Sequence, residues 1–219
     1  MTEDNAAENI GKKGGKQAVA SLLKMLEGIN ANKLKNKRND KDEEARMKGI
    51  DALLNYSIKK EQDVITVLTA YVQFYGLSGC HDYDFHKLNS KFIKWFTKKE
   101  PKYLEKLFTE ANSMGKSTNN TEYGVVTVED EGVYFDIWGC SEENFPKIIQ
   151  KFGEKSIDPL IDILGNKDYH YYLHQIAAEE LGKFKAKRAK EVLTKAYESY
   201  SAHFPANSVR DAAKKALKK

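Results

Sequence analysis

The sequence predicts a mainly α-helical protein, an α-solenoid of paired helices with one inserted β-hairpin. Three observations lead to this fold class. Apolar residues recur at helical spacing over most of the 219 residues. The C-terminal part matches itself when it is shifted along the chain by 36 residues. One stretch in the middle is rich in β-branched and aromatic residues.

The N-terminal half predicts a disordered tail over residues 1–16 and a helical region over 17–116. The tail is polar, contains glycines and has no apolar periodicity. In the helical region, apolar residues align on one face in five segments, and the last begins at Pro101, a residue suited to a first helical turn. The five predicted helices cover about 17–29, 42–57, the segment 61–79 with its end at the glycines, 84–98 and 101–113.

Residues 117–140 predict a polar loop followed by an acidic β-hairpin. Two β-rich runs, 125–128 and 133–137, are separated by the turn sequence Glu-Asp-Glu-Gly. Acidic residues combined with aromatic anchors suit a protein interface, although the aromatic side chains could instead pack on the helices. The candidate partner contacts here are Glu129, Asp130, Glu131, Tyr134, Phe135 and Trp138.

Residues 141–219 predict a repeat region. The segment "LHQIAAEELGK" from Leu173 lies over "VRDAAKKALKK" from Val209. Each is preceded by another predicted helical segment, 156–166 in the first repeat and 187–204 in the second. A helix, a short turn and a second helix that recur at this period are how an α-solenoid is built. In each second helix a small residue, Ala177 or Ala213, would allow close approach of its neighbour.

This repeat resembles the HEAT-like repeats that are also found in phycobilin lyases. The resemblance rests on "PLIDIL", "IAAEELGKF" and "VRDAAKKAL" and covers about residues 155–219. Arg210 matches the arginine that is frequent early in a HEAT second helix, whereas His174 occupies that position in the preceding repeat. The resemblance implies a fold and says little about function, because these repeats serve many roles.

Three polar residues in the first repeat are unusual. His170 and His174 lie four residues apart, as in some zinc sites, but Tyr171 stands where a zincin has glutamate, and both histidines fall beside the apolar stripe. Glu180 falls near the centre of that stripe, where the next repeat has Ala216. A buried carboxylate there would need a partner, and Glu180 is also a candidate contact for another protein.

The segment "CHDYDFH" gathers several metal-ligand types at residues 80–86. His81, Asp84 and His86 are the candidate metal ligands. The same residues also suit the start of a helix, with an aspartate as its cap and Phe85 opening its apolar face. Metal binding and a structural helix start therefore both remain open, and no metal or other cofactor is predicted.

The distribution of charge supports two functional hypotheses. No Lys or Arg lies between Lys116 and Lys147, whereas the chain from Lys185 onward carries ten positive residues against three negative ones. The first hypothesis is a non-enzymatic module that binds another protein, such as a basic one, and an immunity or inhibitor protein is an example. The alternative is a nucleic-acid-binding protein resembling HEAT-like alkylpurine DNA glycosylases, with phosphate contacts from Lys187, Arg188, Lys190, Arg210, Lys214 and Lys215.

Other classes of protein are disfavoured by the sequence. It contains no nucleophile elbow, phosphate-binding glycine loop or paired cysteine motif. No apolar run approaches the length of a membrane span, so no membrane partner is expected. Residues 1–16 do not resemble a signal peptide, and the two cysteines do not suggest a disulfide framework. These features predict a cytoplasmic protein.

Overall fold

The chain is mainly α-helical and divides into two compact units. The computed structural model describes residues 16–33, 40–77, 83–117, 145–201 and 207–219, and in these ranges all regular structure is helical. One unit extends to Phe96 and the other begins at Thr97. The predicted hairpin lies within 118–144, outside the described residues.

The N-terminal unit is built from α1 (Lys16–Lys33), α2 (Asp40–Leu53), α3 (Glu61–Leu77) and α4 (Tyr83–Phe96). α1 packs on α2 and α3, and α2 also packs on α3 and α4. Leu26 from α1, Ile50 from α2 and Leu68 from α3 are all fully buried in the core. α2 ends earlier than the predicted residue 57, because the turn that follows it carries Ile58 into the core.

Aromatic and polar contacts fix α4 in this unit. The rings of Tyr71 and Phe92 stack with their centroids 3.5 Å apart. The hydroxyl of Tyr71 also donates a hydrogen bond of 2.6 Å to Oδ1 of Asn89. Lys91 forms an ion pair of 2.7 Å with Asp51 of α2. α4 is therefore held by both stacking and polar contacts.

The C-terminal unit contains six helices in the described ranges. They are α5 (Lys102–Ser117), α6 (residues 145–152), α7 (Ile157–Gly165), α8 (Tyr171–Lys183), α9 (Lys190–Ser199) and α10 (Asn207–Leu217). Short 3₁₀ turns precede α7 and α9. α5 extends through residue 117, four residues beyond its predicted end, and belongs to this unit.

α7–α8 and α9–α10 form two successive helix hairpins. α7 packs on α8, α9 and α5, while α10 packs on α8 and α9. The first helices of the two hairpins are thus neighbours, and so are the second helices. Residues 36 positions apart share burial, since Leu173 and Val209 are both fully buried, as are Ala177 and Ala213. The apolar pattern predicted these buried positions correctly.

α8 and α10 lie in close contact at Gly182. A Cβ atom added at Gly182 would lie 2.8 Å from Cβ and 2.9 Å from Cα of Ala216. Backbone atoms of α10 occupy the space that a side chain would need, so the close approach requires glycine here.

α9 ends before the predicted helix limit of residue 204. Tyr200 has an extended backbone, with φ of −82° and ψ of 137°, and it caps the C-terminal end of α9. Its hydroxyl contacts His174 of α8. This contact between Tyr200 and His174 lies where the helix ends, and the local apolar pattern could not predict it.

We expect Gly182→Ala to destabilise the C-terminal unit. Alanine raises helix propensity, but its methyl group would force α8 and α10 apart. Overpacking of this kind costs about 1–3 kcal/mol. Urea unfolding should show a lower midpoint.

Gly165→Ala is the matched control, because its Cβ would meet Val192 at an ordinary 3.6 Å. The control should be neutral or slightly stabilising. Equal midpoints for the two variants would contradict the close approach at Gly182.

Candidate functional site

His174 joins α8 to the ends of two neighbouring helices. Its ring is 1% exposed. Nε2 lies 2.9 Å from the carbonyl oxygen of Asn166, the C-cap residue of α7. Because a carbonyl can only accept, Nε2 carries the proton. Nδ1 then accepts from the hydroxyl of Tyr200, the C-cap residue of α9.

His170 caps the N-terminal end of α8. Its Nδ1 accepts a hydrogen bond of 3.4 Å from the backbone N–H of Tyr172. Its own backbone N–H donates to Oδ1 of Asn112 at 2.9 Å, and Nδ2 of Asn112 donates to the carbonyl of Asp168, also at 2.9 Å. α5 therefore holds the turn between α7 and α8 through a nearly buried amide.

Both histidines are more easily deprotonated than a free imidazole. Burial, followed by the nearby charge of His174, lowers the pKa of His170 to about 4. Burial also lowers the pKa of His174, although its hydrogen bond to the carbonyl of Asn166 opposes the shift. Both rings are neutral near pH 7, and each has a described structural contact. The described residues contain no cluster of three or more His, Cys, Asp or Glu side chains suited to a metal ion.

Glu180 is fully buried, as its position in the apolar stripe predicts. Oε1 accepts a hydrogen bond of 2.6 Å from Nζ of Lys183, whose side chain is about half exposed. Oε2 is buried without a hydrogen-bond partner. Since the side chain has no accessible surface, it does not belong to the exposed surface that a partner could touch in this structure.

The structure separates the six cations predicted to contact nucleic acid. Arg188 is near the start of α7, because it pairs with Asp158 at 3.2 Å. Gly182 and Ala216 likewise place the C-terminal ends of α8 and α10 together. Five of the six cations therefore lie at one end of the two hairpins: Lys187, Arg188, Lys190, Lys214 and Lys215. Arg210 lies at the other end, with its guanidinium 5.0 Å from the ring centre of Tyr197.

The remaining predicted site residues are not described. The hairpin residues Glu129, Asp130, Glu131, Tyr134, Phe135 and Trp138 lie outside the described ranges, as does His81. Asp84 and His86 are in the first turn of α4, but their side chains are outside the described part of the chain. The partner and metal roles of these residues stay predictions.

Sequence reasoning missed the partners of the two histidines. Asn112 is 58 residues from His170, and Tyr200 is 26 residues from His174. Neither pair has a local signal, because hydrogen bonds between distant helices leave no periodic pattern. The break in the predicted helix near Tyr200 could be recognised only once the contact of Tyr200 with His174 was known.

Comparisons with known proteins give no assignment: no protein-family model, curated protein or solved structure matches the chain significantly. None of the helices in the described ranges combines the length and the apolar character needed to cross a membrane.

Replacing Tyr200 with phenylalanine should destabilise the C-terminal unit. The change would remove the hydroxyl donor and leave Nδ1 of His174 buried without its partner. Such a loss costs about 1–3 kcal/mol. Tyr197→Phe is a matched control, because it keeps the ring beneath Arg210. The control should change the free energy of unfolding by less than about 0.5 kcal/mol. Similar losses in the two variants would exclude a special role for the Tyr200 hydroxyl.

The free energy of unfolding should fall as the pH drops from about 6.5 to 4. Over this range an unfolded histidine takes up a proton, whereas His170, with its pKa lowered to about 4, stays largely neutral in the fold. Proton uptake therefore favours unfolding, and the stabilisation present above pH 6.5 is lost. His170→Asn keeps a good helix cap but removes this titration. Urea midpoints at several pH values should show a weaker pH dependence in the variant; an unchanged slope would contradict the assignment.

Proposed function

We propose that the chain is a non-enzymatic binding protein, and that its C-terminal unit is an α-solenoid of HEAT-like repeats that holds another protein. The observation that carries the proposal is the repeated packing of α7–α8 and α9–α10, in which equivalent helices are neighbours. Stacked hairpins of this kind present a continuous surface formed by successive helices. Such surfaces commonly bind other macromolecules.

The exposed side chains of α8 and α10 form the proposed contact surface, here called the paired-helix face. Because Gly182 packs on Ala216, the two helices lie side by side. Residues 36 positions apart occupy equivalent accessible positions on the two helices, but their side chains differ in chemistry. The face comprises Tyr172, Gln175 and Glu179 on α8 with Ser208, Asp211 and Lys215 on α10.

The chemistry of this face suits a specific partner. It mixes a partly exposed tyrosine with acidic, basic and amide groups, and tyrosine is enriched among residues that dominate binding energy. Nε2 of Gln175 donates a hydrogen bond of 3.0 Å to Glu179, which orients both side chains on the helix. Charged groups at such a surface control association rate and partner choice.

The acidic hairpin at 117–140 would add a second contact for a basic protein. Seven acidic residues and no Lys or Arg lie between Lys116 and Lys147. An inhibitor of a basic enzyme, as in toxin–immunity pairs, fits this charge. This expectation rests on the sequence, because the segment is outside the described residues.

The proposal is tested by capture of a partner from extracts of the native host, followed by calorimetry with the purified partner. Arginine substitutions at Gln175, Glu179 and Asp211 should weaken binding at least tenfold, because they reverse or add charge on the paired-helix face. Glu191→Ala with Lys195→Ala is the control, since both side chains are exposed on α9 and pair with each other at 2.7 Å. The control should bind within twofold of the original protein.

The hairpin contribution is measured separately with Glu129→Gln, Asp130→Asn and Glu131→Gln. This variant should bind a basic partner more weakly and with less dependence on salt. A captured protein that binds the arginine variant, the hairpin variant and the Glu191→Ala, Lys195→Ala control equally would contradict the proposed surface. The absence of any specific protein partner would contradict the function itself.

A further inference from the structure

One end of the two C-terminal hairpins concentrates positive charge. Two contacts define this end. Gly182 of α8 packs on Ala216 of α10, and Arg188 before α9 pairs with Asp158 in the first turn of α7. The starts of α7 and α9 and the ends of α8 and α10 therefore meet here. We call it the basic end.

Ten positive side chains lie at the basic end, and all are exposed. They are Lys155, Lys183, Lys185, Lys187, Arg188, Lys190, Lys214, Lys215, Lys218 and Lys219. Five acidic residues lie there too: Glu154, Asp158, Glu179, Glu180 and Glu191. Lys183 and Arg188 form ion pairs with Glu180 and Asp158. The other eight cations form no ion pair with any residue that the structure describes, and the ten cations and five acids together leave this end with a net charge of +5.

Helix stability accounts for only part of this charge. Lysines in the last turns of α8 and α10 interact favourably with the negative ends of those helix dipoles. In contrast, Lys187, Arg188 and Lys190 stand at the start of α9, where the positive end of the dipole disfavours cations. A fold that needed only stable helices would favour acids here. Arg188 is accounted for by its ion pair with Asp158, but Lys187 and Lys190 have no such pair among the described residues and point to an external anion.

The side chains at the basic end favour phosphate over a protein surface. Nine of the ten cations are lysines, and the exposed residues at this end are charged rather than aromatic. Protein interfaces are depleted in lysine and enriched in aromatic residues. Single-stranded nucleic acids are bound through aromatic stacking platforms, and membrane-surface helices insert apolar side chains. Lysine without these features is typical of contacts to the backbone of a duplex.

We propose that the basic end binds the phosphate backbone of double-stranded nucleic acid without sequence preference. This activity differs from protein binding by the paired-helix face, although the two surfaces adjoin and share Glu179 and Lys215. It also differs from the sequence-based hypothesis, because Arg210 lies at the opposite end and is excluded, whereas lysines from α8 and from the 3₁₀ turn before α7 are included. The contact of Gly182 with Ala216 fixes the relative positions of the lysines on α8 and α10.

Binding through phosphates should depend steeply on salt. Each neutralised phosphate contributes about −0.9 to the slope of log K against log salt concentration. Contact with about five phosphates would therefore weaken binding about 10²- to 10³-fold between 50 and 200 mM salt. Different duplex sequences should bind equally.

The test is fluorescence anisotropy of the full chain with a labelled 20-base-pair duplex at 50 to 200 mM salt. Lys187→Glu with Lys190→Glu should weaken binding at least tenfold at 50 mM and reduce the salt slope by about two. Glutamate at the start of α9 favours the helix dipole, so this variant is expected to fold. The control is Lys167→Glu with Arg210→Glu, which makes the same change in net charge at the opposite end.

The control should bind within about threefold of the original protein, and circular dichroism should show that both variants are folded. No duplex binding by the original protein at 50 mM salt would overturn the proposal. Equal losses in the two variants would also overturn it, because net charge alone would then explain binding. Polyglutamate is a second competitor: if it displaces the labelled duplex as well as unlabelled duplex does per negative charge, the site binds anions in general and the proposal is overturned. Tighter binding to vesicles with 30% phosphatidylserine than to the duplex would instead indicate a lipid site.

Discussion

The imidazole of His174 fixes how three helices of the C-terminal unit meet. It is almost fully buried, and its two ring nitrogens contact the residues that end α7 and α9. The carbonyl of Asn166 sets the tautomer, and that tautomer sets the role of Tyr200 as a donor. A shift of either helix along its axis would leave a buried polar group without its partner, which is costly in a protein interior. The stacking of the two hairpins depends on this constraint.

The two ends of the hairpins have opposite chemistry. At one end, two sets of polar contacts hold the helices: Asn112 bonds to the backbone of Asp168 and His170, and buried His174 bonds to Asn166 and Tyr200. At the other, Gly182 brings two backbones together and exposed lysines surround the contact. The polar network fixes helix position through directional bonds, whereas the small-residue contact fixes distance through shape. The polar contacts between helices and the charged surface of the unit are thus at opposite ends of the hairpins.

Periodicity predicted the helices well, because burial of one helical face leaves a regular pattern. The shift of 36 residues correctly paired Leu173 with Val209 as buried positions, and Glu180 was correctly placed in the apolar stripe. Its partner Lys183 is one turn away and was within reach of the same reasoning.

The pattern failed where distant helices meet. Asn112 and Tyr200 find their partners across 58 and 26 residues, so no local spacing could reveal them. The sequence also did not reveal that the cations group at one end of the unit, because this grouping depends on the antiparallel arrangement of α7 to α10. Once that course is known, residues far apart in the chain, such as Lys155 and Lys218, are at the same end of the unit, whereas Arg210 is not.

The position of α10 has a consequence for the dynamics of the unit. α10 packs on α8 and α9, and its buried residues are a valine and small alanines rather than large side chains. Helices that bury little apolar area open at lower free energy than the core of a domain. Amide hydrogens of α10 should therefore exchange with solvent before those of α8. Each opening event would also carry Lys214 and Lys215 away from their neighbours on α8, so a bound polyanion would slow exchange in α10 without contacting its backbone.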